Sequence, residues 1–256
     1  MKIIAKREAI LSPLQAVIGV VERKQTMPIL ANVLVTAKGG KLSVTATDLE
    51  VELVATSDVD VQRGGEITIP GRKLLDICRA LPEGTEITLT QEGERMLVRA
   101  RKSRFTLTTL PAAEFPTVEE INAEQTLQLP QKDFKRLLDK THFSMAQQDV
   151  RYYLNGLLLE TSAKMLRAVA TDGHRLALCE VELANGGKAG QQVIVPRKGV
   201  LELQRILGNE DQLLEVSIGS NHLRVQIGEI RFTSKLIDGR FPEYSRVIPA
   251  TPPKTI

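Results

Sequence analysis

The stretch Ala170–Leu178, ATDGHRLAL, decides the fold, because its opening Ala-Thr-Asp has already occurred at Ala46–Asp48. Asp172 stands 124 positions after Asp48 (172 − 48), and nearly the same interval recurs along the chain. Ile67–Leu81 returns as Val193–Leu207, with Pro70 matching Pro196 and Arg79 matching Arg205. Arg104–Thr106 returns as Arg231–Thr233, Phe115–Pro116 as Phe241–Pro242, and Asn32 with Leu34 as Asn155 with Leu157. The offsets stay between 123 and 127 in unbroken order, so the sequence is two copies of one unit.

Each copy has an internal rhythm. In the first, Met1–Lys6 reads as a strand and Glu8–Val21 as a helix, with Ile10, Leu14, Val17 and Val21 on one face and Pro13 as a kink or late start. Strand-like runs follow at Val33–Lys38, Leu42–Thr47 and Val51–Ser57. The pattern then restarts with a strand at Glu66–Ile69, a helix at Arg72–Leu81 and strands at Glu86–Gln91, Met96–Ala100 and Arg104–Thr109. The second copy repeats this outline, with predicted helices at Gln131–His142 and Arg197–Leu207. The fold class is therefore α+β: tandem doubled βαβββ units, each with two helices packed beside antiparallel sheets. The predicted domains are 1–120 and 121–250. Residues 251–256 read as the start of a linker to a third copy that the spacing leads one to expect.

Composition narrows the function. At 42% hydrophobic and 25% charged the chain is an ordinary globular one, and a net charge of only +3 means that any nucleic-acid binding must come from where charge is placed. Cys78 and Cys179 form no C-x-x-C pair and read as buried free thiols in a reducing compartment. Lys6, Arg7 and Glu8 break up any signal-peptide core, and no apolar stretch approaches the ~20 residues that span a bilayer. The expected location is the cytoplasm, with no membrane contact.

Tandem doubled βαβββ units with the runs TLPAAEFP (Thr109–Pro116), SMAQQDVRYYLNG (Ser144–Gly156), VATDGHRLA (Val169–Ala177), VIVPRKGV (Val193–Val200) and SKLIDGRFPEY (Ser234–Tyr244) resemble the bacterial DNA polymerase III beta subunits, the sliding clamps. The resemblance covers the whole chain. It implies a three-domain subunit that dimerises head to tail into a ring around duplex DNA, with helices lining the hole and sheets outside. It implies no catalysis and no cofactor. The implied partners are double-stranded DNA, the polymerase III alpha subunit, the clamp loader and other proteins carrying clamp-binding motifs.

Site residues follow from the residue patterns and the resemblance together. Arg72, Asp76 and Arg79 match Lys198, Glu202 and Arg205 at i, i+4, i+7, so each trio falls on one helix side. That pattern suits either intrahelical ion pairs or a lining that meets phosphates without reading sequence, and the resemblance favours the lining. Lys132, Lys135, Arg136 and Lys140 add charge on the third helix. The matching loops Glu22–Thr26 and Ala146–Asp149 offer Arg23, Lys24 and Gln148 toward DNA by the same resemblance. It further implies a peptide groove built from Leu154, Thr171, Gly173, His174, Arg175, Leu176, Pro242, Arg246 and Val247, half open without a third domain. It also implies a subunit edge carrying Phe105 and Leu107. His174 beside Asp172 suggests general-base chemistry, but no partnered Ser or Cys and no pair of His at metal-ligand spacing accompanies them. Two rivals stand beside the clamp: a two-domain variant forming a different ring or acting as a decoy for clamp-binding peptides, and an enzyme using Asp172 and His174.

Overall fold

A computed structural model describes residues 1–21, 27–118, 121–184, 186–187 and 190–249. The first copy runs β1 (Lys2–Lys6), α1 (Arg7–Val17), β2 (Asn32–Lys38), β3 (Lys41–Thr47), β4 (Val51–Asp58), β5 (Asp60–Arg63), β6 (Gly65–Pro70), α2 (Gly71–Ala80), β7 (Glu86–Glu92), β8 (Arg95–Ala100) and β9 (Ser103–Thr108). The second runs β10 (Gln125–Pro130), α3 (Gln131–Thr141), β11 (Gly156–Thr161), β12 (Met165–Thr171), β13 (Leu176–Glu182), β14 (Gln192–Pro196), α4 (Arg197–Ile206), β15 (Leu213–Ile218), β16 (His222–Ile227) and β17 (Ile230–Lys235).

Proline sets three of the four strand-to-helix junctions. Pro70, Pro130 and Pro196 each end a strand and cap the following helix at φ −54°, −60° and −58°. Their ring holds φ where a helix can begin, and the missing N–H is one the ladder does not need at a strand's end. Pro13 is different, since it sits inside α1 without ending it. A residue there would normally donate its N–H to the carbonyl of Ala9. That oxygen instead accepts from Ser57 Oγ of β4 at 2.5 Å, so the bond that proline removes is replaced from the sheet.

The strands form sheets of order β5-β1-β7-β8-β9, β10-β15-β16-β17-β4-β3-β2-β6 and β13-β12-β11-β14. Matched by the repeat, β1-β7-β8-β9 corresponds to β10-β15-β16-β17, and β4-β3-β2-β6 to β13-β12-β11-β14. The two copies therefore join by one antiparallel pairing, β17 on β4, from Ile230 opposite Ala55 to Ser234 opposite Val51. The periodicity gave no sign of this junction or of β5. The latter is a short polar edge strand, with Asp60, Gln62 and Arg63 exposed and too few apolar residues to show a period.

One core lies between helices and sheets, with Leu14, Leu53, Leu74, Phe134 and Phe232 among its fully buried members. Each such side chain contributes about 1.5–3 kcal/mol by leaving water. A smaller cluster of Leu154, Leu158, Val169, Ile194, Phe241 and Tyr244 packs on the face of the β11–β14 sheet turned away from the helices. Cys78 is buried as expected, which pushes its thiol up to about 11, whereas Cys179 is only half-buried.

Candidate functional site

The four helices form one layer. α1 packs on α2 and α3 on α4. Across the copies, Arg205 of α4 donates to the carbonyls of Gln15 (3.2 Å) and Ala16 at the C-terminal end of α1. Its Nε also meets Glu202 at 2.8 Å, an ion pair of the kind the helix spacing allowed. Lys198 of α4 is paired with Asp48, in the turn after β3 of the first copy. Arg72 donates to the carbonyl of Val21 at 2.6 Å. These three predicted lining residues thus hold backbone or acid partners within the chain, while Arg79 and Lys140 are exposed on the layer. Lys132, Lys135 and Arg136 pair with Asp211, Asp139 (3.7 Å) and Asp133 (4.0 Å). Gln148 is exposed in a left-handed turn at φ +56°, closed by Asn155, whose side chain accepts from the amide of Asp149 and donates to its carbonyl. Arg23 and Lys24 lie outside the described residues.

On the opposite side, the outer face of the β11–β14 sheet carries a cavity of about 380 Å³. Leu154, Thr171, Gly173, His174, Arg175, Leu176, Pro242 and Val247 line it, eight of the nine residues expected there. Arg246 is the ninth; it is exposed beside the cavity and does not line it. Arg151, Glu243 and Tyr244 also line the cavity, and the sequence had not singled them out. The mouth is shaped by the turn between β12 and β13. Asp172 Oδ1 accepts from the amides of His174 (2.9 Å) and Arg175 (3.0 Å), Thr171 Oγ1 donates to the carbonyl of Arg175 (2.7 Å), and Gly173 takes φ +91°. A side chain at Gly173 would stand 3.1 Å from the Arg151 guanidinium, which is itself held on Asp149.

Electrostatics fix this turn in one charge state. The amides of His174 and Arg175, with the Arg175 guanidinium, hold the Asp172 carboxyl down to about 2. Arg151 does the same for Asp149, also to about 2. Asp172 is spent on the turn, and its contact to His174 runs through the backbone amide. Among the described residues no group of three or more His, Cys, Asp or Glu is placed to hold a metal ion. Among the described residues, no helix is long and apolar enough to cross a membrane.

The N-terminal domain of the DNA polymerase III beta subunit matches residues 1–119, and its central domain matches 128–243. The beta sliding clamp of Pseudomonas aeruginosa is 54% identical over 245 residues, covering 95% of this chain and 67% of that protein.

The chain belongs to the DNA polymerase III beta-subunit family.

The beta sliding clamp of Escherichia coli K12 is 53% identical over 255 residues, 99% of this chain and 69% of its own length. The crystal structure of the P. aeruginosa beta subunit superposes with a TM-score of 0.95 at 52% identity, over 98% of this chain and 69% of that one. The Caulobacter crescentus beta subunit gives 0.93 at 39%, over 98% and 70%. The fold is the clamp fold, and the function is that of a DNA sliding clamp in replication. A further structure of the P. aeruginosa clamp has griselimycin bound to it.

Proposed function

We propose that this sliding clamp faces duplex DNA with its helix layer and receives linear peptides of its replication partners in the groove on its outer sheet face. The observation that carries this reading is that eight of the nine residues the resemblance implies for a groove, from three stretches of chain, line one cavity. Leu154, Leu176, Pro242 and Val247 give it apolar walls, and backbone and guanidinium groups at the rim give it orientation, the make-up of a site for short apolar-tipped peptides. The occupants are the clamp-binding segments of the polymerase III alpha subunit, the clamp loader and other motif-bearing proteins. The role is one of tethering without chemistry: both Asp172 oxygens are taken up within the turn, by the amides of His174 and Arg175 and by Arg175 Nε, and its contact to His174 is through the backbone.

Assembly is read from the internal junction. β17 lies on β4, and their counterparts β9 and β13 each stand at the end of their sheet among the described strands. Phe105 of β9 matches Phe232 of β17, which is wholly buried at the junction, whereas Phe105 is half-buried; Leu107 is already part of the core. A β9 edge pairing with a β4-type edge of another subunit gives the head-to-tail, heterologous contact that closes a ring. Paired edges also remove the hazard of an open strand.

The groove is tested by titrating a fluorescent peptide from the clamp-binding segment of the polymerase III alpha subunit. Leu176→Ala removes pocket surface and lowers affinity about 5- to 30-fold, equivalent to ~1–2 kcal/mol. Arg175→Ala matters less, since its side chain is 59% exposed. A peptide indifferent to Leu176→Ala binds elsewhere, and the reading falls.

A further inference from the structure

Tyr244 is unusual among the groove residues: it is buried, yet its hydroxyl is fully engaged. The ring belongs to the apolar cluster beneath the groove, and the residue opens a short 3₁₀ turn, Tyr244–Arg246, with Pro242 and Val247 on either side. Its O–H donates to Glu160 Oε2 on β11, and the same oxygen accepts from Arg167 Nη1 on β12 at 2.6 Å. Arg167 also pairs with Glu160 (3.1 Å) and with Glu180 of β13, while Gln192 of β14 donates to the other Glu160 oxygen at 2.7 Å. Four adjacent strands therefore contribute to one charged network, and the hydroxyl of Tyr244 ties the segment after the last strand to it.

The repeat supplies a control within the same chain. Glu160 stands opposite Arg167, and Arg167 opposite Glu180, in the register of the second copy. In the first copy the same ladder places Thr36 opposite Ser43 and Ser43 opposite Thr56. Tyr244 corresponds to Val118, by the interval that relates Phe241 to Phe115. Val118 has no hydroxyl; its backbone amide donates to Glu52 Oε2 at 3.2 Å. A network needed simply to fold the unit belongs in both copies, yet this one occurs only where the peptide groove is.

We propose that the Tyr244–Glu160–Arg167 network is a latch that holds residues 242–247 closed against the outer sheet face, making Tyr244 a positioning residue for peptide binding. The inference rests on the groove reading above and adds what builds its far wall. A peptide meets a formed pocket only while Pro242 and Val247 are seated, so affinity scales with the fraction of molecules in which the latch is made. Charge sustains it. Burial raises the Glu160 carboxyl, but bonds from Tyr244, Gln192 and Arg167 outweigh this and keep it below its ordinary range. The phenol is pushed up, chiefly by burial, and so stays protonated as the donor.

Tyr244→Phe is the test. It deletes the hydroxyl alone and leaves Glu160 paired with Arg167 and Gln192, so no charge is orphaned and the fold survives. The expected result is about tenfold weaker peptide binding, from loss of the hydroxyl's two hydrogen bonds to charged groups. Faster amide exchange confined to Arg246 and Val247, whose N–H groups bond within the turn, and a nearly unchanged melting midpoint accompany it. Glu160→Gln, which keeps an acceptor without its charge, gives a smaller loss of the same kind. A purely structural role would lower the melting midpoint and leave affinity unaltered, which overturns the proposal, as does unchanged exchange in the turn. If Leu176→Ala weakens the peptide and Tyr244→Phe does not, the latch is refuted and the groove stands. If neither does, both readings fail.

Discussion

Replacing Arg205 by Ala separates the two uses the sequence allowed for that side chain. In the structure it reaches across the copies to two carbonyl oxygens at the C-terminal end of α1 and pairs with Glu202 in its own helix. A guanidinium bonded to carbonyls contributes about 1.5–3 kcal/mol, with about 0.3–1 kcal/mol more from a cation at a helix C-terminus. The side chain is 36% exposed, which weakens both contributions, so about 2 kcal/mol is the expected loss. Packing here is close as well: a Cβ at Gly19 would lie 2.6 Å from Arg205 Nε. For a chain of this length the midpoint of thermal unfolding falls about 4–8 °C. Arg205→Lys, a point charge without the planar fork, recovers only part of this. The measurement is differential scanning calorimetry beside a duplex-binding titration. An unchanged midpoint with a large loss of DNA affinity would refute the clasp and return Arg205 to the DNA face.

Arg79→Glu, on an exposed residue of the same layer, lowers duplex affinity with little effect on melting, and the loss shrinks as salt rises because phosphate contacts are screened; a salt-independent loss in fluorescence anisotropy counts against the DNA face. Asp149 and Asp172, both held down to about 2, bind fewer protons folded than unfolded below the ordinary carboxyl value of 3.8. Their contribution is therefore complete above about pH 4 and is lost as pH falls toward 2, so melting midpoints followed across that window decline more gently in Asp149→Asn and Asp172→Asn variants.

What the sequence made legible was whatever the repeat or the apolar period wrote twice. The four helices lie within a few residues of their predicted bounds, because Leu74, Cys78, Phe134, Leu137 and Leu203 recur at helical spacing and all point into the core. The lining of the cavity was legible for a related reason: apart from Val247, the expected residues that line it sit in runs that carry the family resemblance. Long-range polar partners were not legible. Nothing in the spacing of Arg72, Lys198 and Arg205 says that Val21, Asp48 and the end of α1 will take up their charges. Pairing across copies depends on tertiary approach, and a helix-face pattern records only that the residues share a side. Tyr244 was hidden likewise, since its partners lie 84 and 77 residues away.

The same turn put to two uses shows how duplication and specialisation divide the chain. Thr47, Asp48 and Leu49 repeat the bonds of Thr171, Asp172 and Gly173: Asp48 Oδ1 accepts from the amides of Glu50 and Val51, and Thr47 Oγ1 donates to the carbonyl of Val51. Leu49 even takes φ +78°, a left-handed conformation costly for a leucine, where the second copy has glycine. Beside that first turn lies a cavity of about 330 Å³ lined by Thr47, Leu49, Pro116, Thr117 and Val118, the positional counterparts of the groove. Its remaining lining, His222 and Lys235, comes from β16 and β17 of the second copy, delivered by the pairing of β17 on β4. By the same geometry, a strand that pairs with the open edge of β13 brings its own sheet to the mouth of the peptide groove. A domain joined at β13 as the two copies are joined at β4 therefore also supplies the wall a bound peptide meets, whichever contact closes the ring.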